Sequence, residues 1–318
     1  MTLRAPLGIS VGDPGGVGPE VALRAAASQC AQDRTVIFGD AVAMAGRAQG
    51  LGITQDRLVT CREGEPFALP IGGIGLVNAG VPWTREALRH EPTRAGGDAQ
   101  LAALNAAARA SLAGHVRALV TAPMSKTAVH LAGHDFIGHT EHLARAAGLL
   151  DDDVTMMFLG PRLRVAVATT HLSIADLPGA VTQRRVLRTI EHLAQALLRL
   201  QPTDTAVPSI VVAGLNPHAG EGGLFGDEEL RAIGPAIKQA HGLPPFCDGR
   251  VRLQGPLGAE TAFRQAASGA VDGVVAMMHD QATIASKLLD WTFAVNVTWG
   301  LPIVRTSVDH GVAYDAAA

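Results

Sequence analysis

Residues 273–311 read GVVAMMHDQATIASKLLDWTFAVNVTWGLPIVRTSVDHG, and this stretch decides the predicted fold. It begins with an apolar run, residues 273–278, whose length and composition are typical of a buried strand. His279 and Asp280 follow at the point where that strand must end. In an open α/β sheet, ligands bind outside the carboxyl ends of the strands, so polar side chains at this point are candidates for a functional site. The same residues would also suit an ordinary polar surface beside a parallel sheet.

Further apolar runs are distributed along the chain and predict the rest of the sheet. They occupy residues 7–11, 35–38, 71–77, 116–120, 154–159, 163–168 and 209–215. Helical patterns come between them, the clearest at residues 96–113 and 186–200. Strands that alternate with helices predict an α/β protein with a parallel sheet. A chain of 318 residues favours two domains over one.

Composition excludes several other classes of protein. The formal net charge is −3 and no block of Lys or Arg occurs, so binding to nucleic acid or to an acidic membrane is not predicted. The cysteines, Cys30, Cys61 and Cys247, show no C-x-x-C spacing, which argues against a disulfide framework and a thiolate metal site. No signal-peptide pattern occurs, and no apolar run reaches the roughly 18 residues of a membrane span. We therefore expect a cytoplasmic protein.

A glycine-rich turn, GDPGGVGPE at residues 12–20, links the first strand to a helix. It is similar to a phosphate cradle, but Val21 stands where a dinucleotide fingerprint has its third glycine, and no Gly-Lys-Ser/Thr of a P-loop occurs. Two interpretations stay open: the turn binds phosphate, or it only shapes the start of the helix. Ser125 and Lys126 follow another predicted strand and are candidate site residues, a pattern that solvated loop residues share.

Three histidines, His171, His218 and His279, each follow an apolar strand-like run at or shortly after its end. Parallel strands would bring the three imidazoles to one edge of the sheet. Three neutral imidazoles around a divalent ion, with coordination positions left open, are typical of a catalytic metal site. One histidine in such a place is usually a hydrogen-bonded loop residue, but three at equivalent positions favour a metal.

Six motifs, taken in chain order, resemble those of the 4-hydroxythreonine-4-phosphate dehydrogenases of pyridoxal phosphate biosynthesis. They are GDPGGVGPE, TAPxxK, GHTE, NPHAGEGGxFG, HDQ and RTSVDHG, and they span residues 12–311. The resemblance implies the α/β fold of isocitrate and isopropylmalate dehydrogenases, with an interdomain cleft, and a homodimer with active sites at its interface. We expect a discontinuous first domain, residues 1–125 with 285–318, and a second domain, residues 126–284, that carries most metal ligands.

The same resemblance assigns site residues and cofactors. His171, His218 and His279 match metal-binding positions for one divalent ion, which would be Zn, Mg or Co. Substrate-contacting positions match five residues: His139, Thr140, Lys287, Asn296 and Arg305. NAD or NADP would be used without a G-x-G-x-x-G loop. Lys287 and Arg305 suit a carboxylate or phosphate group of the substrate.

The implied reaction is the oxidation of 4-phosphooxy-L-threonine, followed by loss of CO2, to give 3-amino-2-oxopropyl phosphate. A divalent ion would lower the pKa of the substrate hydroxyl and stabilise the charge that develops as CO2 leaves. Departures from the family pattern make the substrate the open point. Met278 and Ala282 stand where the family commonly has Tyr and Gly, and residues 282–293 differ from the usual segment.

Alternative functions follow from these departures. A related dehydrogenase could act on a four-carbon sugar acid phosphate, threonate or erythronate 4-phosphate, or on a carboxylated dihydrodiol. His139, Thr140 and Arg305 favour the phosphorylated substrates over the dihydrodiol. A metal-dependent phosphate-ester hydrolase is the alternative of another class, because three histidines and an open metal suit it too.

Overall fold

The computed structural model describes residues 4–28, 33–200 and 206–317. The chain divides into a first unit, Met1–Asp151 with Leu301–Ala318, and a second unit, Asp152–Gly300. The first unit is therefore discontinuous in sequence. Each unit has its own group of strands with helices packed on them, which confirms the predicted α/β class.

In the first unit the paired strands all run parallel. They are β1 (Leu7–Ser10), β2 (Thr35–Gly39), β3 (Leu58–Cys61), β4 (Ile74–Asn78), β5 (Ala118–Thr121) and β12 (Arg305–Ser307). Their order is β3-β4-β2-β1-β5-β12. The helices are α1 (Gly18–Ser28), α2 (Ala41–Gly50), α3 (Arg94–Leu112), α4 (Lys126–Leu131) and α5 (His139–Ala146).

Three of these helices begin where a short polar side chain caps the first turn. Asp40 accepts hydrogen bonds from two backbone N–H groups of α2, and Thr93 accepts one from α3 at 3.0 Å. Ser125 caps α4, because its Oγ accepts from the N–H of Ala128 at 3.2 Å. Such caps satisfy N–H groups that have no partner within the helix. Ser125, which the sequence offered as a candidate site residue, therefore serves as the N-cap of α4.

The second unit has a mixed arrangement of strands. They are β6 (Thr155–Leu159), β7 (Arg164–Val167), β8 (Ser209–Ala213), β9 (Arg252–Leu257), β10 (Gly273–Ala276) and β11 (Val295–Trp299). In the order β11-β6-β7-β10-β8-β9, the pairs of β6 are antiparallel and the remaining pairs are parallel. The helices are α6 (Leu177–Ala180), α7 (Gln183–Leu200), α8 (Gly234–His241), α9 (Ala259–Ala267) and α10 (His279–Asp290).

Short helical turns complete the description of the two units. The 3-10 turns are Gln55–Arg57, Asp151–Asp153 and Tyr314–Ala316. Pro217–Gly223 forms a turn with left-handed backbone, and a π-turn covers Glu229–Ile233. None of the helices in the described part of the chain is long and apolar enough to cross a membrane. Cys61 and Cys247 are free thiols, and Cys30 lies outside the described residues.

The boundaries of the units differ from the predicted domain boundaries at 125 and 284. Val129, Phe136 and Leu143 are buried in the same core as α3 and β5, so residues 126–151 belong to the first unit. Residues 285–300 belong to the second unit, because β11 pairs with β6 and because Ala285 and Leu289 of α10 pack against the core residues of β6, β7, β8 and β10. A helical pattern in the sequence does not indicate which sheet the helix will cover, so these boundaries had to come from the packing.

Candidate functional site

Three neighbouring strands of the second unit are followed by the predicted metal-binding histidines. β10 lies between β7 and β8 and is parallel to both. His171 comes after β7, His279 after β10 and His218 after β8. Because parallel strands have their carboxyl ends at the same edge, the topology brings the three histidine-bearing segments to one edge of the sheet.

His171 and His279 have adjacent side chains. Their ring centroids lie 5.2 Å apart. Nδ1 of His279 lies 2.8 Å from Oδ1 of Asp280. An ionised carboxylate only accepts hydrogen bonds, so in the neutral form of the ring Nδ1 carries the proton and Nε2 keeps its lone pair. A carboxylate orients metal-binding imidazoles in proteins in this way.

His218 lies in a left-handed turn at residues 218–222. The φ angles of these five residues are all positive, from 44° at Glu221 to 77° at Gly220. Left-handed backbone costs roughly 1–2 kcal/mol for each residue that has a side chain, so the surroundings must hold this turn in place. The imidazole of His218 is exposed, with its centroid 6.3 Å from the ring of Phe225.

The donor chemistry of these residues fits a divalent ion, because imidazole is a common ligand of Zn and Co. Among the described residues of the single chain, no group of three or more His, Cys, Asp or Glu side chains lies close enough to hold an ion. The chain thus offers the pair His171 and His279, with His218 on the segment that follows the neighbouring strand. The three-histidine metal site stays a prediction.

A second cluster lies in the first unit, where His139 and Thr140 open α5. Gly138 precedes the helix and provides no side-chain cap. The start of a helix attracts anions, because its first N–H groups point away from the helix and carry partial positive charge. Nε2 of His139 is buried and has no hydrogen-bond partner in the described part of the chain. Burial, reinforced by the charge of Arg305, holds the pKa of His139 well below its usual value, so the ring is neutral.

Arg305, on β12, adds a buried positive charge to this cluster. It is 2% exposed, and Nη2 donates a hydrogen bond to Oγ1 of Thr121 at 2.7 Å. Burial lowers the pKa of Arg305 to about 10, and the charge of Glu141 opposes this change. The guanidinium therefore stays protonated at neutral pH. A buried guanidinium, a neutral imidazole and a helix start together suit a phosphate or carboxylate group.

Lys287 and Asn296, the other substrate candidates, belong to the second unit. Lys287 lies on α10, with Nζ 5.7 Å from the ring centroid of Trp291, a distance typical of a cation–π contact. Oδ1 of Asn296 is buried and accepts no hydrogen bond from any described residue. A buried acceptor without a donor is uncommon and is suited to a ligand N–H or O–H group.

The glycine-rich turn at residues 12–20 is filled by the chain itself. Backbone N–H groups in the turn already donate to partners within the chain, namely those of Asp13, Gly15, Gly16 and Val17. A Cβ atom would lie 1.9 Å from the carbonyl oxygen of Arg89 if added to Gly15, and 2.2 Å from Cγ1 of Val312 if added to Gly16. The glycines are therefore required by close packing. This favours the turn that shapes a helix start over the phosphate cradle.

Asp13, within this turn, has a role that the sequence did not reveal. Its carboxylate accepts hydrogen bonds from the N–H of Gly15 at 2.9 Å, from Gln100 at 3.0 Å and from the hydroxyl of Tyr314 at 2.8 Å. Burial raises the pKa of Asp13, and these hydrogen bonds oppose the change. The carboxylate joins the turn to α3 and to the segment after β12.

Comparisons with known proteins agree with the motifs. The model of the family described as "Pyridoxal phosphate biosynthetic protein PdxA" matches residues 31–318. A 4-hydroxythreonine-4-phosphate dehydrogenase of Geobacter metallireducens is 44% identical over 97% of this chain and 88% of its own length. A D-threonate 4-phosphate dehydrogenase of Cupriavidus necator is 39% identical over 98% of this chain and 90% of its own. The crystal structure of a 4-hydroxythreonine-4-phosphate dehydrogenase from Burkholderia phymatum is similar to this chain with a TM-score of 0.76 and 36% identity. The match covers 99% of this chain and 92% of the Burkholderia chain.

Proposed function

The chain belongs to the PdxA family of pyridoxal phosphate biosynthetic proteins, and from that membership we propose that its substrate is 4-phosphooxy-L-threonine. It is a dehydrogenase, as its relatives are named. In the proposed reaction NAD or NADP takes a hydride from the hydroxyl-bearing carbon, and the resulting keto acid loses CO2 to give 3-amino-2-oxopropyl phosphate. The adjacent imidazoles of His171 and His279, at the edge to which His218 also belongs, are the observation that carries the proposal.

His171, His218 and His279 would hold one divalent ion, either Zn, Mg or Co. When bound, such an ion supplies a Lewis acid for the hydroxyl and for the charge left by CO2. In the neutral ring of His279, the hydrogen bond to Asp280 places the proton on Nδ1 and leaves Nε2 available to a metal ion. The donor pair and the family motifs support this assignment.

The cluster at the start of α5 would hold the phosphate group of the substrate. His139 offers a neutral ring with a buried nitrogen, and Arg305 offers a buried charge. Burial removes competing water, so each charge-assisted hydrogen bond gains strength. Lys287 and Asn296 would hold the carboxylate and a polar group of the same substrate. The dihydrodiol alternative lacks the phosphate for which the cluster is suited.

D-Threonate 4-phosphate, or its erythronate isomer, is the second candidate substrate. It differs from 4-phosphooxy-L-threonine by a hydroxyl in place of the amine, so the same anion groups would serve. The relative from Cupriavidus necator, named for the D-threonate ester, supports it. So does the altered segment at residues 282–293, where Trp291 contacts Lys287.

The test is absorbance of reduced nicotinamide with a panel of substrates. The purified protein, with Zn, Mg or Co and with NAD or NADP, is given both phosphate esters, a carboxylated dihydrodiol and phosphate-free threonine. The proposal expects NADH or NADPH with 4-phosphooxy-L-threonine above all others. Release of phosphate without reduced nicotinamide would instead identify the hydrolase.

Two further assignments belong to this proposal and rest on the family motifs. One is the isocitrate dehydrogenase-like fold with an interdomain cleft. The other is a homodimer with active sites at the interface. Light scattering would measure the molar mass in solution, and an active monomer would contradict the homodimer.

A further inference from the structure

Hydrogen bonds from buried or partly buried side chains tie together the three segments that carry the histidines. The first joins the end of β7 to the end of β10: Oγ1 of Thr169 donates to the carbonyl oxygen of Met277 at 2.7 Å. Both residues are buried, Thr169 at 2% exposed. Thr169 lies two residues before His171, and Met277 lies two residues before His279.

Gln281 makes the second link, from the end of β10 to the end of β8. Its Oε1 accepts from the N–H groups of Met277 at 2.9 Å and Met278 at 3.3 Å. Its Nε2 donates to the carbonyl oxygen of Gly214 at 3.0 Å. These partners fix the orientation of the amide, because the oxygen faces two donors and the nitrogen faces an acceptor. Gln281 lies in the first turn of α10, and β8 ends just before Gly214.

Glu229 makes the third link and holds the start of the segment that carries His218. Its Oε1 accepts from the N–H groups of Leu215 and Asn216, both at 2.8 Å, and its Oε2 accepts from Nδ2 of Asn216 at 2.9 Å. A Cβ atom at Gly214 would lie 3.0 Å from Oε1 of Glu229, so the segment passes close to this carboxylate. The left-handed turn at residues 218–222 begins from this fixed point.

We propose that Gln281 is a positioning residue, which holds the segments of His279 and His218 in register and thereby sets the affinity and geometry of metal binding. Gln281 is the one link that contacts both segments directly, through Met277, Met278 and Gly214. Replacement by an apolar side chain leaves two partly buried N–H groups and one carbonyl without their partner in Gln281, and the two segments can then shift relative to each other. The inference rests on the proposed function in one respect, that a divalent ion binds to these histidines.

The experiment measures metal binding directly, without turnover. Metal-free full-length protein is titrated with Co²⁺, and the dissociation constant and the visible d–d spectrum are recorded for wild type and Gln281→Met. The expected result is binding weakened by about 10- to 100-fold, the range for residues that orient metal ligands, together with a changed spectrum. Thr169→Val removes a different link while preserving side-chain volume, and we expect a smaller loss of affinity in the same direction.

Gln183→Met is the matched control. Nε2 of Gln183 donates to Oε1 of Gln239 at 2.8 Å in the same unit, but this bond is exposed and lies on α7 and α8. We expect this variant to bind Co²⁺ as wild type does. Circular dichroism checks that each variant is folded. If Gln281→Met does not fold, Gln281→Glu decides the matter, because it keeps the oxygen that accepts from Met277 and loses only the donor to Gly214.

The outcomes separate this inference from the proposed function. If wild type binds no Co²⁺, the metal assignment and the positioning role both fall. If wild type binds Co²⁺ while Gln281→Met and Thr169→Val keep its dissociation constant and spectrum, only the positioning role falls. A weaker affinity with a changed spectrum in both variants, and neither in the control, supports it.

Discussion

Replacement of His192 should change how the stability of the protein depends on pH. His192 lies on α7, is 8% exposed, and its Nδ1 is 2.8 Å from Oγ1 of Thr155. Burial lowers the pKa of His192 to about 4; the charge of Arg188 acts in the same direction and that of Asp153 opposes it. The ring is therefore neutral in the folded protein at pH values where it is protonated in the unfolded chain.

The direction and the size of the change in unfolding free energy with pH follow from this difference between the folded and unfolded pKa of His192. In the unfolded chain, His192 binds a proton as pH falls below about 6.5, whereas in the folded protein it does so only near pH 4. The stability that the neutral His192 contributes is therefore complete above about pH 6.5 and is lost as pH falls toward 4. The whole shift corresponds to about 3 kcal/mol, of which about 2 kcal/mol is lost by pH 5. His192→Asn retains an amide near the position of Nδ1 and does not titrate. We expect the stability difference between wild type and this variant to shrink by about 2 kcal/mol between about pH 8 and about pH 5.

The assay is urea unfolding followed by circular dichroism at both pH values. His241→Asn, at an exposed histidine of the same unit, is the control and should keep the pH dependence of wild type. If His192→Asn and wild type lose the same free energy of unfolding as pH falls, His192 is not a buried neutral base and the reasoning is refuted.

The remaining predictions concern the site and the turn at residues 12–20. His279→Ala should lose most bound metal, as measured by elemental analysis after dialysis; full stoichiometric metal would contradict its role. Arg305→Ala should raise the KM for a phosphorylated substrate roughly tenfold to a hundredfold, because a charge-assisted contact contributes about 1.5–3 kcal/mol. The KM for the nicotinamide cofactor should change little. An unchanged substrate KM would assign the phosphate to another site. Tyr314→Phe should destabilise the protein by about 1–3 kcal/mol, since the buried carboxylate of Asp13 loses a donor, and an unchanged melting temperature would show that water replaces the hydroxyl.

The strands that could be predicted from sequence are those with continuous apolar runs. β8 and β10 are fully or mostly buried, and such segments have a clear pattern. β3 is only partly buried, β9 contains a Gly-Pro pair and β12 has three residues, RTS, with no apolar side chain. These strands are specified by pairing with neighbours that are distant in sequence, which no local pattern records.

The candidate site likewise contains some residues that can be predicted from sequence and others that cannot. Histidines at strand ends have a recognisable type and position, and the family motifs identify them. Gln281 and Glu229 act through hydrogen bonds to the backbone of other segments, so their role depends on loop conformations that the sequence does not display. Asp13 likewise reaches partners on α3 and after β12. Only the folded arrangement identifies such residues.

The discontinuous first unit constrains the order in which the chain can fold as it leaves the ribosome. β12 pairs with β5, yet the whole second unit is synthesised between them. Until Leu301–Ala318 emerges, β5 has an unpaired edge, and Thr121 lacks the guanidinium that reaches it in the finished protein. An open parallel edge is a site for pairing with other chains. The nascent first unit is thus exposed to aggregation until β12 has been synthesised, and a chain released before Arg305 keeps that edge of β5 open for its lifetime.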